Sequence, residues 1–512
     1  MNLGVIGCGY VGLVSAAGFA ELGHNVVAAE SNVARLKLLQ RGQSPFHEPY
    51  LPELLHKHTG ARLQFRQSIE EAVQRAQVVF ICVGTPSSPS GEADLSDMDV
   101  AVREILLCVR SHLLVVSKST VPVGTCDAIR HTMTSNGVSP DLFSVASNPE
   151  FLREGTAVHD FLHPHRIVIG VNDERSRRLL NSVYWPLTSG RYYRSSDRVP
   201  GESKSGIPII TTTAESAELI KHASNGFLAM KISFINAVAT IAESVGADIS
   251  EVRAGLGSDP RIGSAFLDAG IGFGGPCLPK DLHAFRALAR RAGYRFDLLS
   301  EVIRINQGQR FRFLEKVRLA LSPLSGKRIA VLGLSFKGGT DDIRQSPAVD
   351  VVQHLVHQGA KVVAFDPVAM TQARKEFAEA AVSFAEDSYA AMMDADALLI
   401  LTEWPEFAAL DLKRVRNLLR TPIVLDGRNL YSPYQMKAVG LNYLSFGRPS
   451  TLVNSSAAGT LLFTPSTDDE SELGTWDPHW MHLGEDRSSR LVKPWHADHR
   501  KGARNGEHPV NR

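Results

Sequence analysis

The sequence predicts an α/β protein: two Rossmann-like, doubly wound domains joined by a long central helix and a helical dimerisation region. Three patterns carry that prediction. Residues 3–6 form a short apolar run, a glycine turn opens a helical pattern through Leu22, and Val26–Ala29 supplies the next apolar run, which together make a strand–turn–helix–strand unit. From Thr213 to about Val245, the residues Ala217, Ile220, Phe227, Leu228, Ile232, Ile235, Ala239 and Ile241 recur at helical spacing without a proline. Residues 328–333 and 361–365, the latter followed by Asp366-Pro367, then repeat the N-terminal order and mark a second half of the same kind.

Taken along the chain, the first domain is expected over 1–212. Further buried strands are predicted at Val78–Val83, Leu113–Ser117 and Phe143–Ala146, between helical stretches, so the sheet should be parallel with right-handed crossovers. Residues 190–212 show no periodicity and are expected as an exposed surface loop. The helix that follows would span on the order of 50 Å at 1.5 Å per residue. That is longer than a small domain needs, and its excess apolar surface predicts a dimer face. Helical segments continue to about Leu321, giving a central domain over 213–321, and the second Rossmann-like half is expected over 322–448. Beyond Pro449 the apolar periodicity fades; residues 449–512, with three of the five tryptophans and five of the eighteen histidines, read as a mostly disordered extension.

Composition narrows the function. With 55 basic and 54 acidic side chains in 512 residues, the chain lacks the electrostatic signature of a nucleic-acid binder. Its five cysteines have no CxxC spacing, which fits reduced thiols in a cytoplasmic protein better than a disulfide or zinc framework. The first apolar run is broken at once by glycines, so neither a signal peptide nor a membrane span is expected. His479, His482, His496 and His499 lie in the charged tail, and no metal site is expected from them.

Two segments carry chemistry. Gly7-Cys8-Gly9-Tyr10-Val11-Gly12 is G-x-G-x-x-G between a strand and a helix, and Glu30 ends the second strand. The first glycine permits a tight turn, the second lets the backbone approach a pyrophosphate, and the third lets helix and strand pack closely. Glu30 would accept hydrogen bonds from a ribose 2′-hydroxyl and repel a 2′-phosphate, so NAD is predicted over NADP. The other segment is Gly272-Phe273-Gly274-Gly275-Pro276-Cys277-Leu278-Pro279-Lys280-Asp281. It places Cys277 just before a helix start, where the helix dipole and Lys280 or Lys221 would favour a thiolate able to act as a covalent nucleophile. Asp281 is a candidate base at helical reach of the same site. The other four cysteines read as packing residues. Lys221 and Asn225 share a helix face, whereas Glu150 and Glu154 by spacing alone read as a solvated surface pair.

From Met1 to about Arg448 the chain resembles the UDP-glucose/GDP-mannose dehydrogenase family. The resemblance rests on Gly7–Gly12, Val83–Pro86, Lys118–Thr125, Asn148–Gly155, Gly272–Asp281 and Gly333–Pro347. Residues 259–263, 402–405 and 426–429 look like the branch that acts on UDP-glucose, and the GLSFKGGTDD segment looks nearer the GDP-mannose branch. The resemblance implies a four-electron oxidation of a sugar C6 alcohol with NAD. Cys277 matches the nucleophile, while Asp281, Lys221 and Asn225 match the groups that deprotonate the alcohol and stabilise oxyanions. Thr120 and Glu150 match the residues that position the hydrolytic water. Coenzyme contacts are implied for Gly7, Gly9, Tyr10, Val11, Gly12, Glu30, Arg35, Gly84, Thr85, Pro86, Thr120, Glu154, Lys280 and Arg344. Contacts to the UDP-sugar are implied for Glu150, Phe151, Leu152, Arg153, Glu154, Lys221 and Asn225, for Phe266, Leu267, Gly270, Phe273 and Gly274, and for Lys337 and Arg428. Arg261 is expected to reach the site across a dimer interface. UDP-glucose is the implied substrate; the same chemistry on GDP-mannose or a UDP-N-acetylhexosamine, or a two-electron NAD dehydrogenase of related fold, stays open at this point. The chain departs from the family pattern at Pro276, Tyr50 and Gly338.

Overall fold

The computed structural model describes residues 1–450 apart from 89, 203, 205 and 378–381. Residues 451–512, nearly all of the tail expected as a disordered extension and including His479, His482, His496 and His499, lie outside the described residues. Two sheets organise the fold. The first contains β1 (Asn2–Ile6), β2 (Asn25–Ala29), β3 (Leu63–Arg66), β4 (Val78–Ile81), β5 (Leu113–Ser117), β6 (Phe143–Ser147), β7 (Ile167–Gly170) and β8 (Ile209–Thr212). Its order is β3-β2-β1-β4-β5-β6-β7-β8, parallel except where β6 meets β7. The second contains β9 (Arg328–Leu332), β10 (Lys361–Phe365), β11 (Val382–Phe384), β12 (Ala397–Ile400), β13 (Ile423–Asp426) and β14 (Asn442–Leu444). Its order, β11-β10-β9-β12-β13-β14, repeats the first six positions.

The middle strands are buried at every position in β4, β5, β12 and β13 and are apolar apart from Ser117 and Asp426 at the ends of β5 and β13, because helices cover both faces of a parallel sheet. In each sheet the chain reverses its direction of travel between the first and fourth strands. The crevice at that switch point, beyond the carboxyl ends of the strands, is where open α/β sheets bind ligands.

The loop expected over 190–212 is corrected by the structure. Tyr192, Tyr193, Val199 and Ile207 are buried in the core of the first sheet, Tyr193 Oη donates to Leu162 O at 2.9 Å, and Ile209–Thr212 pairs in parallel with β7. These apolar side chains anchor an irregular segment one at a time, so they leave no period to read.

The long helix runs Ala214–Val245, capped by Thr213, whose side chain accepts from Ser216 N, and closed by Gly246 at φ 73°. It packs on the helices Leu278–Arg291 and Asp297–Leu321. By length and mean hydropathy it is the one helix among the described residues able to cross a membrane. Its polar side chains show why it belongs to a core: Glu218, Lys221, His222, Asn225, Ser233 and Asn236 are all buried and need protein partners. Glu218 accepts from Gly124 N at 2.7 Å and Cys126 N at 2.9 Å, and His222 Nε2 donates to Val121 O at 2.9 Å. The helix therefore fixes the turn that carries Thr120, in addition to joining the two sheets.

Candidate active site

The turn after β1 has the geometry that a dinucleotide requires. Gly7 sits at φ 89°, a conformation that side chains disfavour, and a Cβ on Gly12 would stand 1.8 Å from Gly7 O, so the helix start and the turn touch. A Cβ on Gly9 would meet nothing within 4 Å, leaving open space beside a helix N-terminus for a pyrophosphate. Glu30, buried at the end of β2, accepts from Asn32 N at 2.7 Å and pairs with Arg35 Nη1 at 3.2 Å. This turn fits NAD. The second sheet has the equivalent acid at Asp366, which is used up internally: it accepts from Leu334 N, Ser335 N and Oγ, Val368 N, Ala369 N and Trp404 Nε1. It has no capacity left for a ribose.

The cysteine segment runs between the central helices and the loops of the second sheet. Gly270 N donates to Asn236 Oδ1 at 2.8 Å and Ile271 N to Gly427 O at 2.8 Å. Gly272 O accepts from Arg428 Nη1 at 3.3 Å. The amide of Asn306 takes both backbone groups of Phe273, with Oδ1 accepting from its N–H at 2.8 Å and Nδ2 donating to its carbonyl at 2.9 Å. Gly275 N donates to Gln345 O at 3.3 Å. Cβ atoms at Gly270, Gly272 and Gly274 would stand 2.6, 2.6 and 2.2 Å from the atoms that hold the segment, which explains the glycines. The segment ends in Cys277, the residue before the helix Leu278–Arg291, with Pro279 in that helix's first turn.

Charge is arranged around this thiol. Lys221 Nζ pairs with Glu150 Oε1 at 2.9 Å, and Glu150 Oε2 accepts from Leu152 N at 2.5 Å. Asp281 accepts from Asn225 Nδ2 at 2.6 Å and from Lys280 Nζ at 2.6 Å. Lys280 continues to Thr85 Oγ1 at 3.4 Å, and Thr85 donates to Thr120 O at 2.9 Å, so the helix after Cys277 is tied to the coenzyme side of the first sheet. Burial opposes the charge on Asp281, but Lys280 and Lys221 outweigh it and hold the carboxyl below its usual range. Burial likewise opposes the charge on Lys221, and Glu150 and Asp281 outweigh it to hold the ammonium above its range.

The surroundings of Cys277 oppose the expected thiolate. Cys277 is open to solvent, yet protein surrounds the recess so closely that burial, followed by the negative charges of Glu150 and Asp281, pushes its pKa up to about 12 against the opposing pull of Lys221. Two nearby carboxylates outweigh a helix dipole whose influence is confined to the first turn. The reading of Glu150 and Glu154 as a surface pair also fails: both lie in an irregular loop rather than on a helix, and their side chains are 7% and 10% exposed.

On the second-sheet side, Glu154 lies 3.8 Å from Arg344 Nη2 and accepts from Thr340 Oγ1 at 3.5 Å. Burial and the charge of Asp342 push its carboxyl up to about 8. Lys337 is drawn below its usual range by burial, partly offset by Glu154 and Glu403. Arg428 also donates to Leu401 O and Phe336 O, both at 2.9 Å, and pairs with Glu403 at 3.1 Å. The structure thus gathers Cys277, Lys221, Asn225, Asp281, Lys280, Thr85, Thr120 and Glu150 in one connected cluster, with Glu154 beside it from the loop after β6 and Arg344 and Arg428 from the second sheet. It does not gather all the sequence-derived residues. Arg153 is spent on Asp160 at 2.7 Å, Leu267 is packed in the core beside Ile235 and Ala239, and Arg261 is exposed and paired with Asp259 at 2.7 Å.

Sequence reasoning missed the groups beneath the site. Lys118 Nζ donates to Asn148 Oδ1 at 3.1 Å, and Tyr184 Oη donates to the same oxygen at 2.5 Å. Burial draws Lys118 down to about 8. Lys118 opens the Lys118–Thr125 block, a signal that was on view; Asn306 gave none, being one polar residue in a helical pattern. Arg166 caps the Phe151 ring at 4.0 Å. Among the described residues no group of three His, Cys, Asp or Glu is placed to hold a metal ion.

A turn shaped for a dinucleotide, tied through Thr85 and Lys280 to a cluster of lysines, carboxylates and a thiol, is the equipment of an NAD-dependent dehydrogenase. The chain belongs to the UDP-glucose/GDP-mannose dehydrogenase family: the NAD binding domain matches residues 1–188, the central domain 215–308 and the UDP binding domain 330–433. It is 42% identical over 450 residues to UDP-glucose 6-dehydrogenase TuaD of Bacillus subtilis, covering 88% of this chain and 94% of that protein. It is 43% identical over 454 residues to a UDP-glucose 6-dehydrogenase of Rhizobium meliloti, covering 88% of this chain and all of that protein. Among solved structures, a UDP-glucose dehydrogenase from Pyrobaculum islandicum superposes with a TM-score of 0.77 at 38% identity, covering 86% of this chain and 96% of that one.

Two outcomes follow from this geometry. Glu30→Ala removes the ribose acceptor and frees Arg35 to meet a 2′-phosphate. A hydrogen bond to a charged group is worth roughly 1.5–3 kcal/mol, so the preference for NAD over NADP in kcat/KM should fall by about ten- to a hundredfold; an unchanged ratio means that Glu30 does not face the coenzyme. Because the thiol of Cys277 is held up to about 12, its alkylation by iodoacetamide should keep rising with pH beyond pH 9. A plateau below pH 8 would place the thiol pKa in the range of activated cysteines.

Proposed function

We propose that this chain catalyses the NAD-dependent four-electron oxidation of UDP-glucose to UDP-glucuronate through a thiohemiacetal and then a thioester on Cys277. The observation that carries this reading is that Asp281, held below its usual range, and the Lys221–Glu150 pair all act on the charge of Cys277. The choice of sugar nucleotide is supported by the relatives named UDP-glucose 6-dehydrogenase at about two-fifths identity and by the UDP binding domain match. The division into 1–212, 213–321 and 322–448 assigns coenzyme, cysteine segment and UDP to separate parts.

NAD, when bound at Gly7–Gly12, supplies the hydride acceptor for each of two oxidations. Asp281, held ionised by Lys280 and Lys221, takes the C6 hydroxyl proton through a water, while the charged Lys221 stabilises the developing alkoxide. The aldehyde is captured by Cys277: a C–S bond forms as the thiol proton passes to one of the carboxylates that raise its pKa, Glu150 or Asp281. Lys221 then faces the new oxyanion. Loss of a second hydride equivalent from this carbon leaves a thioester. Glu150, steered by Lys221 and Leu152 N, and Thr120 orient a water that attacks the acyl carbon, breaking the C–S bond to release the carboxylate and return the thiol. Lys337, Arg428 and the backbone of 266–274 hold the nucleotide part, with positive charge available for the diphosphate.

If Cys277 carries the carbon between oxidations, the enzyme should release two NADH per UDP-glucose with no free aldehyde. Cys277→Ser, a poorer nucleophile whose ester is less reactive than a thioester, should lose turnover while UDP-glucose binding survives. A stoichiometry of one, or near-normal turnover of the serine variant, would sink the covalent mechanism. Predominant turnover of GDP-mannose over UDP-glucose, UDP-galactose and UDP-N-acetylmannosamine would sink the substrate.

The active form is proposed to be a cytoplasmic homodimer joined along the long helix, with Arg261 serving the partner's site. Phe227, Phe234 and Ile241, at seven-residue spacing, lie 59%, 54% and 59% exposed on that helix, an apolar stripe that a second copy would cover. Sedimentation at micromolar concentration should report a dimer and Phe234→Glu a monomer; a monomeric parent protein rules the interface out.

A further inference from the structure

The nucleophile sits at the end of a segment with no regular secondary structure, and its accuracy depends on what grips that segment. Residues 270 and 271 are held well upstream, by Asn236 and by Gly427 O. Downstream, Gly275 has a single bond, to Gln345 O at 3.3 Å. Between them, the side-chain amide of Asn306 is the tightest grip near Cys277, pairing with both the N–H and the carbonyl of Phe273 at 2.8 and 2.9 Å. This two-point pairing copies the exchange of bonds between neighbouring strands, so it fixes the direction of the segment as well as its distance. Gly272 is shaped to the same group: at φ 97°, a Cβ there would stand 2.6 Å from Asn306 Oδ1.

Asn306 itself is buried on a well-anchored helix. It is 5% exposed, and its helix, Asp297–Leu321, is anchored by the buried Leu299, Val302 and Phe313. Both atoms of its amide are used by Phe273, and it belongs to neither the charge cluster nor the coenzyme turn.

We infer that Asn306 is a positioning residue for the reaction at Cys277, acting through the backbone of Phe273. Removing its amide leaves a buried N–H and a buried carbonyl without partners and lets the segment shift, and a misplacement of about 1 Å at a reacting atom costs on the order of a hundredfold in rate. The inference rests on Cys277 being the nucleophile, so its test includes a measurement that needs no substrate.

The experiment compares Asn306→Ala, Asn306→Asp and Gly272→Ala with the parent chain in kcat for UDP-glucose, in NAD affinity by fluorescence titration, and in alkylation of Cys277 by iodoacetamide followed by intact mass. NAD affinity reports on the turn at 7–12, whereas the amide of Asn306 bonds to Phe273, and should stay within threefold. In both Asn306 variants kcat should fall by about ten- to a hundredfold, aspartate giving no rescue because it turns a carboxylate oxygen toward the Phe273 carbonyl. Alkylation of Cys277 should accelerate severalfold as the segment loosens. Gly272→Ala, which approaches the contact from the segment, should reproduce both effects and keeps the test alive if an Asn306 variant does not fold. A variant that binds NAD normally yet keeps kcat within threefold and alkylates at the parent rate overturns the inference. If the parent chain fails to oxidise UDP-glucose, the alkylation comparison still decides the role of Asn306, and the failure falls on the proposed reaction instead.

Discussion

A buried ammonium must find a carboxylate. Lys221 is 4% exposed on the long helix, and an uncompensated charge there would be prohibitive. Glu150 meets it at 2.9 Å from a loop of the first sheet, and Asp281 adds its charge from the helix that follows Cys277. Three separate stretches of chain are therefore brought to one place by a single electrostatic requirement. The rest of the site consists of the supports that keep that arrangement in register: Asn225 on Asp281, Leu152 N on Glu150, and the Lys118–Asn148–Tyr184 bonds beneath the loop.

The two sheets show how one topology serves two tasks. In the first, the glycine turn leaves open space at Gly9, and Glu30 makes one backbone contact and one half-buried ion pair. In the second, Asp366 is closed off by six donors and the turn after β9 carries Lys337 in place of an open pyrophosphate cradle. A repeated fold thus yields one dinucleotide site and one site for a different phosphate-bearing ligand, since function is set by the residues at the switch point rather than by the strand order.

The parts legible in the sequence were those with a period or a spacing. The long helix showed through its apolar repeat, β1, β2, β9 and β10 through short apolar runs beside glycines, and the coenzyme turn through its three glycines. What stayed hidden depends on contacts between distant residues. β8 is a strand only because β7 lies beside it, and Tyr192 and Tyr193 are buried only because Leu162 and its neighbours are there. Glu150 and Glu154 looked like a surface pair because spacing says nothing about burial. Asn306 was invisible for the same reason: a polar residue in a helix is ordinarily solvated, and its partner lies 33 positions away.

The thiol is the place where local rules gave the wrong sign, and the reason has chemical weight. A helix start and two lysines would favour a thiolate, but close packing by protein together with two carboxylates does not. With its pKa pushed upward, the thiol form dominates at pH 7. A cysteine kept as the thiol resists oxidation and alkylation, both of which attack the thiolate, even though it is open to solvent. Reactivity then has to come from the substrate side. When an aldehyde carbon is held against the sulfur, proton loss and C–S bond formation can proceed together, with the carboxylates that suppressed ionisation as the proton acceptors and Lys221 facing the new oxyanion. In the proposed reaction, the same charges that keep the free thiol quiet are thereby the ones that let it add to the aldehyde. Precise placement of the sulfur matters more than its intrinsic acidity, which is why the segment before Cys277 is held at so many of its backbone groups.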